Sequence, residues 1–350
     1  MTDVATLWPG MLAALVRGDE LPPAIAEAAL SAILEGRATD AQIAGFAVAL
    51  RAKGETPGEL AALVRTMLRY GEHVDVQGGT PLVDTCGTGG DLQGTINVST
   101  LAALVTAGAG VRIAKHGNRA ASSKCGSADV LEALGVVIDL GPRGVEQTIE
   151  ECGIGFCFAP RFHPALRFAA ATRRELGIPT TFNFLGPLAN PAGARRRTVG
   201  VSDPTMAERM INTLAELGVE HALVFYGHDG LDELTTTTTS TVLELRDGEV
   251  RTYDVDPAAL GLAPATREDL AGADAPANAD VVHEVLAGET GPKRDIVLLN
   301  AAAALVVGGR VENLADGITL AAEVVDDGRA AKALVGFVHA SVAARDAGEA

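Results

Sequence analysis

The sequence predicts an α/β protein, with an all-helical opening followed by a larger domain in which helices flank a mainly parallel sheet. Three observations carry this. Helix-start signals recur through about the first seventy residues. From Pro81, short β-type runs alternate with glycine-bounded helical stretches, the pattern of parallel strands joined by helices. Further on, Asp247-Gly248 separates two strand-like runs as a hairpin turn.

Taken in order, Pro22-Pro23 opens a segment of helical apolar spacing that stops near Gly36. Thr39-Asp40-Ala41-Gln42 has capping-box spacing and starts a helix running to about Lys53. Thr56-Pro57-Gly58-Glu59 repeats the signal, with proline at the first helical position, and this helix ends at Gly71. Helices this short cannot bury their apolar faces alone. They must pack on each other, on the rest of the chain or on another subunit. Candidate strands follow at Leu82–Thr85, Val111–Lys115, Val136–Leu140, Ile154–Ala159, Thr198–Ser202 and Ala222–Tyr226, with helical runs such as Val98–Ala107 and Met206–Leu217 between them. Thr238–Arg246 and Val250–Val255 form the arms of the hairpin. Ala271–Ala279 reads as a surface loop, and the chain from Ala279 as several helices.

Hydrophobic residues make up 47% of the 350, enough for a sizeable core. A formal net charge of -17 argues against a broad nucleic-acid-binding face, although a local cluster of Lys and Arg can still form a pocket for a small anion. Cys86, Cys125, Cys152 and Cys157 make no CxxC pair and no zinc spacing. A chain of this size needs no disulfide staples, so a reducing cytoplasm is the expected compartment. Met1-Thr2-Asp3-Val4 lacks the basic stretch and apolar core of a secretory signal. The most apolar runs, Val98–Gly110 and Ile296–Gly309, fall short of membrane-spanning length, so no membrane association is expected.

Four segments could carry chemistry. The strand Leu82–Thr85 runs into Gly87-Thr88-Gly89-Gly90-Asp91, where three glycines let backbone N–H groups converge on an anion. The helix beginning near Asn97-Val98-Ser99-Thr100 would aim its first amides and hydroxyls into the same crevice. No Gly-Lys-Ser/Thr follows, so this is not a P-loop, and the GxGxxG fingerprint is absent. Taken alone, the loop serves a tight strand-to-helix turn equally well. The second segment is Lys115-His116-Gly117-Asn118-Arg119-Ala120-Ala121-Ser122-Ser123-Lys124. It places three cations, an imidazole, an amide and two hydroxyls at a strand end, which suits a polyanion better than a merely solvated loop.

The third is Gly227-His228-Asp229-Gly230-Leu231-Asp232-Glu233-Leu234. Adjacent carboxylates on a strand point to opposite faces, so Asp232 and Glu233 can share one ion only from a loop. Hard oxygen ligands favour Mg²⁺ over Zn²⁺, while an isolated Asp-Glu pair is most often plain solvated surface. The fourth is His163-Pro164-Ala165-Leu166, leading into a helix with Arg173, Arg174 and Glu175. An arginine in a last helical turn usually offsets the helix dipole, but one held against a pocket could bind a carboxylate bidentately.

In this order, and together with Asn183-Phe184-Leu185-Gly186-Pro187-Leu188, these segments resemble the anthranilate phosphoribosyltransferase family of tryptophan biosynthesis, over almost the whole chain. The resemblance implies that Gly87, Gly90, Asp91, Thr95, Asn97, Val98, Ser99, Thr100, Lys115, His116, Gly117, Asn118, Arg119, Ala120, Ala121, Ser122, Ser123 and Ser127 hold phosphoribosyl pyrophosphate. Gly87, His116, Asn118 and Arg173 would contact anthranilate. Ser99 would coordinate one Mg²⁺ and Asp232 with Glu233 another, so two ions per subunit are implied. Lys115 would stabilise the leaving pyrophosphate, and Arg173 would fix the substrate carboxylate.

The fold implied is a small helical domain (1–72, with 164–180 returning to it) hinged to an α/β domain (73–163 and 181–350), dimerising through the helical part. The single departure, Cys125 in the Ser122–Asp129 loop, is small and neutral. A pyrimidine nucleoside phosphorylase would share this architecture but needs a different Lys-Ser/Arg nucleobase site, which is not found. A non-catalytic nucleic-acid-binding relative would show broken motifs and a broad basic face, contrary to the intact motifs and acidic charge.

Overall fold

The computed structural model describes residues 4–120 and 123–349. Four helices come first: α1 (Val4–Arg17), α2 (Pro23–Leu34), α3 (Asp40–Lys53) and α4 (Pro57–Arg69). The starts of α3 and α4 follow from their caps. Thr39 Oγ1 accepts from Gln42 N while Gln42 Oε1 accepts from Thr39 N, and Thr56 with Glu59 repeats the exchange. Glu59 is buried, and it also accepts from Leu21 N at 2.7 Å and Lys53 Nζ at 2.9 Å, so the capping carboxylate ties three segments together.

The sheet domain continues with β1 (Val83–Gly87), α5 (Val98–Gly108), β2 (Ile113–Gly117), α6 (Ser127–Ala133), α7 (Pro142–Cys152), β3 (Ile154–Phe158) and the single turn α8 (Ala159–Phe162). After a 3-10 turn at Pro164–Leu166 come α9 (Arg167–Leu176), α10 (Thr181–Leu188), β4 (Arg196–Gly200), α11 (Pro204–Glu216), β5 (His221–Gly227), β6 (Ser240–Arg246) and β7 (Glu249–Val255). Four helices close the chain: α12 (Ala275–Leu286), α13 (Pro292–Val307), α14 (Leu314–Asp326) and α15 (Arg329–Asp346).

The strands form one sheet in the order β3-β2-β1-β4-β5-β6-β7. The first five are parallel and the last two antiparallel. Asp247 (φ 54°) and Gly248 (φ 82°) make the β6–β7 turn, the positive pair that matches strand twist.

Alternation along β5 separates two cores. Leu223 and Phe225 face the helices α5, α13 and α14, whereas Ala222 and Val224 face α10, α11 and, beyond them, the N-terminal helices. The short opening helices therefore bury their apolar faces on each other and on α11, with Leu60, Leu63, Val64 and Met67 of α4 all buried. Each such side chain contributes about 1.5–3 kcal/mol on burial. The α9 helix packs on α2 and α3, and Thr172 Oγ1 donates to Asp40 Oδ1 at 2.9 Å.

Two expectations are corrected. Val136–Leu140 is not a strand. Its alternating burial (Val136, Ile138 and Leu140 inside) is real, but its partners belong to the C-terminal segment: Val137 N donates to Ser341 Oγ and Gly141 N to Glu349 O. Ala271–Ala279 is only half a loop. Ala271 bridges to Thr95, and Asp274 caps α12, which begins at Ala275.

Candidate active site

The carboxyl ends of β1 and β4 lie in register, Gly87 beside Gly200. The 229–234 loop crosses directly over them. A Cβ on Gly200 would fall 1.7 Å from Asp232 O, and one on Gly87 would fall 2.3 Å from Asp232 Oδ2. Only glycine at both strand ends allows the acidic loop to approach this closely. The requirement at Gly87 is thus steric, apart from any ligand, and Gly200 was not singled out from sequence.

Beyond β1 the loop turns through Gly89 and Gly90 at positive φ. Gly89 N donates to Asp232 Oδ2 at 2.7 Å and Thr88 N to Gly200 O at 2.9 Å. Ser202, which carried no signal in sequence, donates its hydroxyl to Gly89 O at 2.9 Å and its N to Thr88 Oγ1 at 3.1 Å. Asp91 accepts from Gln93 N, ordering the turn, and Thr95 pairs with Ala271. Asn97 stands at the N-cap position of α5 without capping it; its side chain reaches sideways to Cys125 and Asn278. Val98 and Thr100 are buried in the first turn.

Asp232 and Glu233 are drawn together with Ser99 and Lys115. Ser99 N donates to Glu233 Oε1 at 3.1 Å, while Lys115 Nζ donates to Ser99 Oγ at 3.2 Å and Thr85 O at 2.6 Å. Lys115 is 2% exposed, so its ammonium braces the start of α5 from beneath. Burial lowers its pKa, opposed chiefly by the Asp84 charge. Burial raises Asp232 to about 7, with the Asp91 carboxylate adding to it; burial and Asp232 push Glu233 well up. Burial and mutual repulsion thus both disfavour ionisation of this adjacent pair.

Beneath lies a buried polar cluster that the sequence did not reveal. Asp84 accepts from His116 N at 3.0 Å and from Asn190 Nδ2 at 2.8 Å, beside Arg197, whose guanidinium is held by Ala194 O and Leu188 O. The His116 ring leaves the phosphate loop altogether. Its Nδ1 meets Gly186 O at 3.0 Å, and the ring packs edge-on against His163 with centroids 5.2 Å apart. Burial holds both imidazoles neutral, lowering His116 to about 4 and His163 to about 3. Among the described residues His116 Nε2 and His163 Nδ1 have no partner.

The rest of the cationic run divides. Gly117 allows close approach to Ser127 Oγ, which donates to Asn118 O at 3.2 Å. Arg119 turns onto Asp129 and Glu132 at 2.9 and 2.8 Å, fastening the loop to α6, and Ala120 N joins Asp129. Ser123 Oγ donates to Cys125 O at 3.3 Å. Ala121 and Ser122 lie outside the described residues. Arg173 stands apart from all of these on α9, its guanidinium 5.6 Å from the Phe182 ring centre, and burial lowers its pKa. Among the described residues no carboxylate pairs with it.

Among the described residues no group of three or more His, Cys, Asp or Glu side chains is gathered for a metal. Two carboxylates and a serine hydroxyl, all hard oxygen donors, fit the way Mg²⁺ is held by one or two carboxylates with substrate phosphates completing its shell. Among the same residues no helix is long and apolar enough to cross a membrane.

A helical bundle joined to an α/β domain with a mainly parallel sheet is the architecture of a glycosyl transferase. Residues 79–331 match the α/β domain of the glycosyl transferase family and residues 9–71 match its helical bundle domain. Among curated relatives, anthranilate phosphoribosyltransferase of Salinispora arenicola is 53% identical, over 97% of this chain and 98% of the relative. The crystal structure of anthranilate phosphoribosyltransferase from Thermus thermophilus is 42% identical with a TM-score of 0.89, covering 94% of this chain and 98% of that one. The Saccharomyces cerevisiae enzyme in complex with phosphoribosyl pyrophosphate and Mg is 28% identical with a TM-score of 0.88, covering 97% and 99%. The chain belongs to the anthranilate phosphoribosyltransferase family.

Proposed function

We propose that the protein transfers the 5-phosphoribosyl group of phosphoribosyl pyrophosphate to the amine of anthranilate, giving N-(5-phosphoribosyl)anthranilate and pyrophosphate in tryptophan biosynthesis. The observation that carries this is the Asp232-Glu233 pair, fixed over the ends of β1 and β4 by Gly89 N and Ser99 N in a member of this family. The protein uses Mg²⁺. Asp232 and Glu233 would hold one ion and Ser99 Oγ a second, and the metal supplies charge neutralisation on the departing pyrophosphate.

In the transfer the bond from ribose C1 to the pyrophosphate oxygen breaks, a bond from C1 to the amine nitrogen forms, and the amine gives up a proton. Positive charge builds on the ribose and negative charge on the leaving oxygen. The chain's own contribution is to place and to neutralise. Gly87, Gly90, Asp91, Thr95, the 97–100 turn, the 115–123 run and Ser127 would form the phosphoribosyl pyrophosphate wall, with the Lys115 side chain beneath it. Arg173, desolvated over Phe182, is suited to grip the anthranilate carboxylate, with Gly87, Asn118 and His116 completing the acceptor wall. Anthranilate's aromatic amine is unprotonated near neutrality, so the step demands no strong base.

We further assign residues 1–72 with 164–180 to the helical domain and the remainder to the α/β domain; packing of α9 on α2 and α3 supports the return. We also infer dimerisation through the helical part. Action in the cytoplasm suits a reaction on charged metabolites.

Mixing the protein with anthranilate, phosphoribosyl pyrophosphate and Mg²⁺ should extinguish anthranilate fluorescence, and omitting Mg²⁺ should abolish the loss. Persistent fluorescence together with phosphorolysis of thymidine or uridine would assign the chain to the nucleoside phosphorylases instead.

A further inference from the structure

Asn278 lies in the first turn of α12, 181 residues beyond Asn97, and is 2% exposed. Its Nδ2 donates to Asn97 Oδ1 at 2.9 Å, and its Oδ1 accepts from Ala273 N at 2.7 Å. Asn97 Oδ1 accepts from the Cys125 thiol as well, at 3.4 Å, while Asn97 Nδ2 donates to Cys125 O at 3.2 Å. Burial pushes the Cys125 thiol up to about 11, so it stays protonated and able to donate.

Both acceptor sites of Asn97 Oδ1 are thus used, which fixes which way the amide faces. It also draws the side chain off the cap of α5 and holds it between two walls of the phosphate site. One wall is the 94–97 segment, which is itself tied to the α12 loop by Ile96 N to Leu270 O and Gly272 N to Gly94 O. The other is the Ser123–Ser127 turn leading into α6.

We propose that Asn278 is a positioning residue for phosphoribosyl pyrophosphate. Acting through Asn97, it clamps the start of α5 to the 123–127 turn, so that the two walls meet the substrate at a set spacing. Ala273 N would be served equally by a carboxylate, and only the bond to Asn97 needs the donor. The inference rests on the transferase reading above and adds to it a residue that touches no reacting atom.

Asn278→Asp separates these roles. It keeps an acceptor for Ala273 N but sets an oxygen against Asn97 Oδ1. In steady-state assays the KM for phosphoribosyl pyrophosphate should rise about tenfold or more, as expected when a buried donor is replaced by an acceptor. The KM for anthranilate and kcat should stay within about threefold. Asn278→Ala, which loses the bond without opposing two oxygens, should show a smaller rise and serves if the aspartate variant does not fold. In an Asn97→Ala background, Asn278→Ala should add nothing further, because the two act as one unit.

A fall in kcat with both KM values unmoved would mark a merely structural residue and overturn the inference, as would full additivity with Asn97→Ala. A wild-type protein that binds phosphoribosyl pyrophosphate with Mg²⁺ but leaves anthranilate untouched would overturn the acceptor reading alone. Absence of phosphoribosyl pyrophosphate binding in the wild type would overturn both.

Discussion

The wall assigned to the pyrophosphate and the wall assigned to the acceptor are built on different terms. On the first, Thr88 N, Gly89 N, Ser99 N and Lys115 Nζ all have protein partners, and two strand-end glycines leave no room for adjustment. On the second, His116 Nε2 is buried without a partner among the described residues, and Arg173 rests on an aromatic ring in place of a carboxylate. An unsatisfied buried polar atom costs about 1–3 kcal/mol. The first wall is pre-organised in that its own hydrogen bonds hold the glycine loop, the start of α5 and the acidic pair at a set spacing. Of the groups on the second, only the Arg173 guanidinium is a donor suited to an acid; the orphan ring nitrogen of His116 is an acceptor, because Nδ1 gives its proton to Gly186 O.

The largest effect should come from disturbing the rigid wall. Gly200→Ala sets a methyl group where Asp232 O now lies, so the acidic loop must lift. We expect a stability loss of about 1–3 kcal/mol in urea unfolding and a fall of about a hundredfold or more in transferase rate. Retention of full activity would mean that the strand end does not set the position of the acidic pair.

Arg173→Ala comes next and should leave the rigid wall alone. The KM for anthranilate should rise about tenfold to a hundredfold, the worth of a charge-assisted bond to a carboxylate, while the KM for phosphoribosyl pyrophosphate stays put. An unchanged anthranilate KM would remove Arg173 from the acceptor wall.

A third effect concerns pH. Folding depresses the pKa of His116 to about 4 and of His163 to about 3, against about 6.5 in an unfolded chain. The unfolded state therefore takes up protons that the folded state refuses. The associated stability is full above about pH 6.5 and is lost as pH falls toward 4, with each histidine contributing a slope of up to about 1.4 kcal/mol per pH unit. His163→Asn should make the decline in urea midpoint between these pH values shallower than in wild type. Equal slopes would show that the ring titrates freely in the fold.

The rigid wall was largely legible in the sequence because its information is local. Gly87–Asp91 sits at a strand end, Asn97–Thr100 at a helix start, and Thr39 and Thr56 announce their helices within four residues. What escaped notice depends on contacts across long separations. Gly200 matters only because Asp232 crosses it, Ser202 because Gly89 is beside it, and Asn278 because α12 folds back on Asn97. The Asp84–Asn190–Arg197 cluster joins residues more than a hundred positions apart, and a lone Asp inside an apolar strand carries no signature of its partners. Val136–Leu140 misled for the converse reason: alternating burial reports two environments, not a neighbouring strand, and here a helix and the C-terminal segment supply one of them.

Calorimetric titration of phosphoribosyl pyrophosphate into wild type, Asp232→Ala and Arg173→Ala, with and without Mg²⁺, tests the division between the walls most directly. Wild type and Arg173→Ala should bind alike and only with Mg²⁺, while Asp232→Ala should bind at least about tenfold more weakly. Binding that ignores Mg²⁺, or that weakens as much in Arg173→Ala as in Asp232→Ala, would contradict the account.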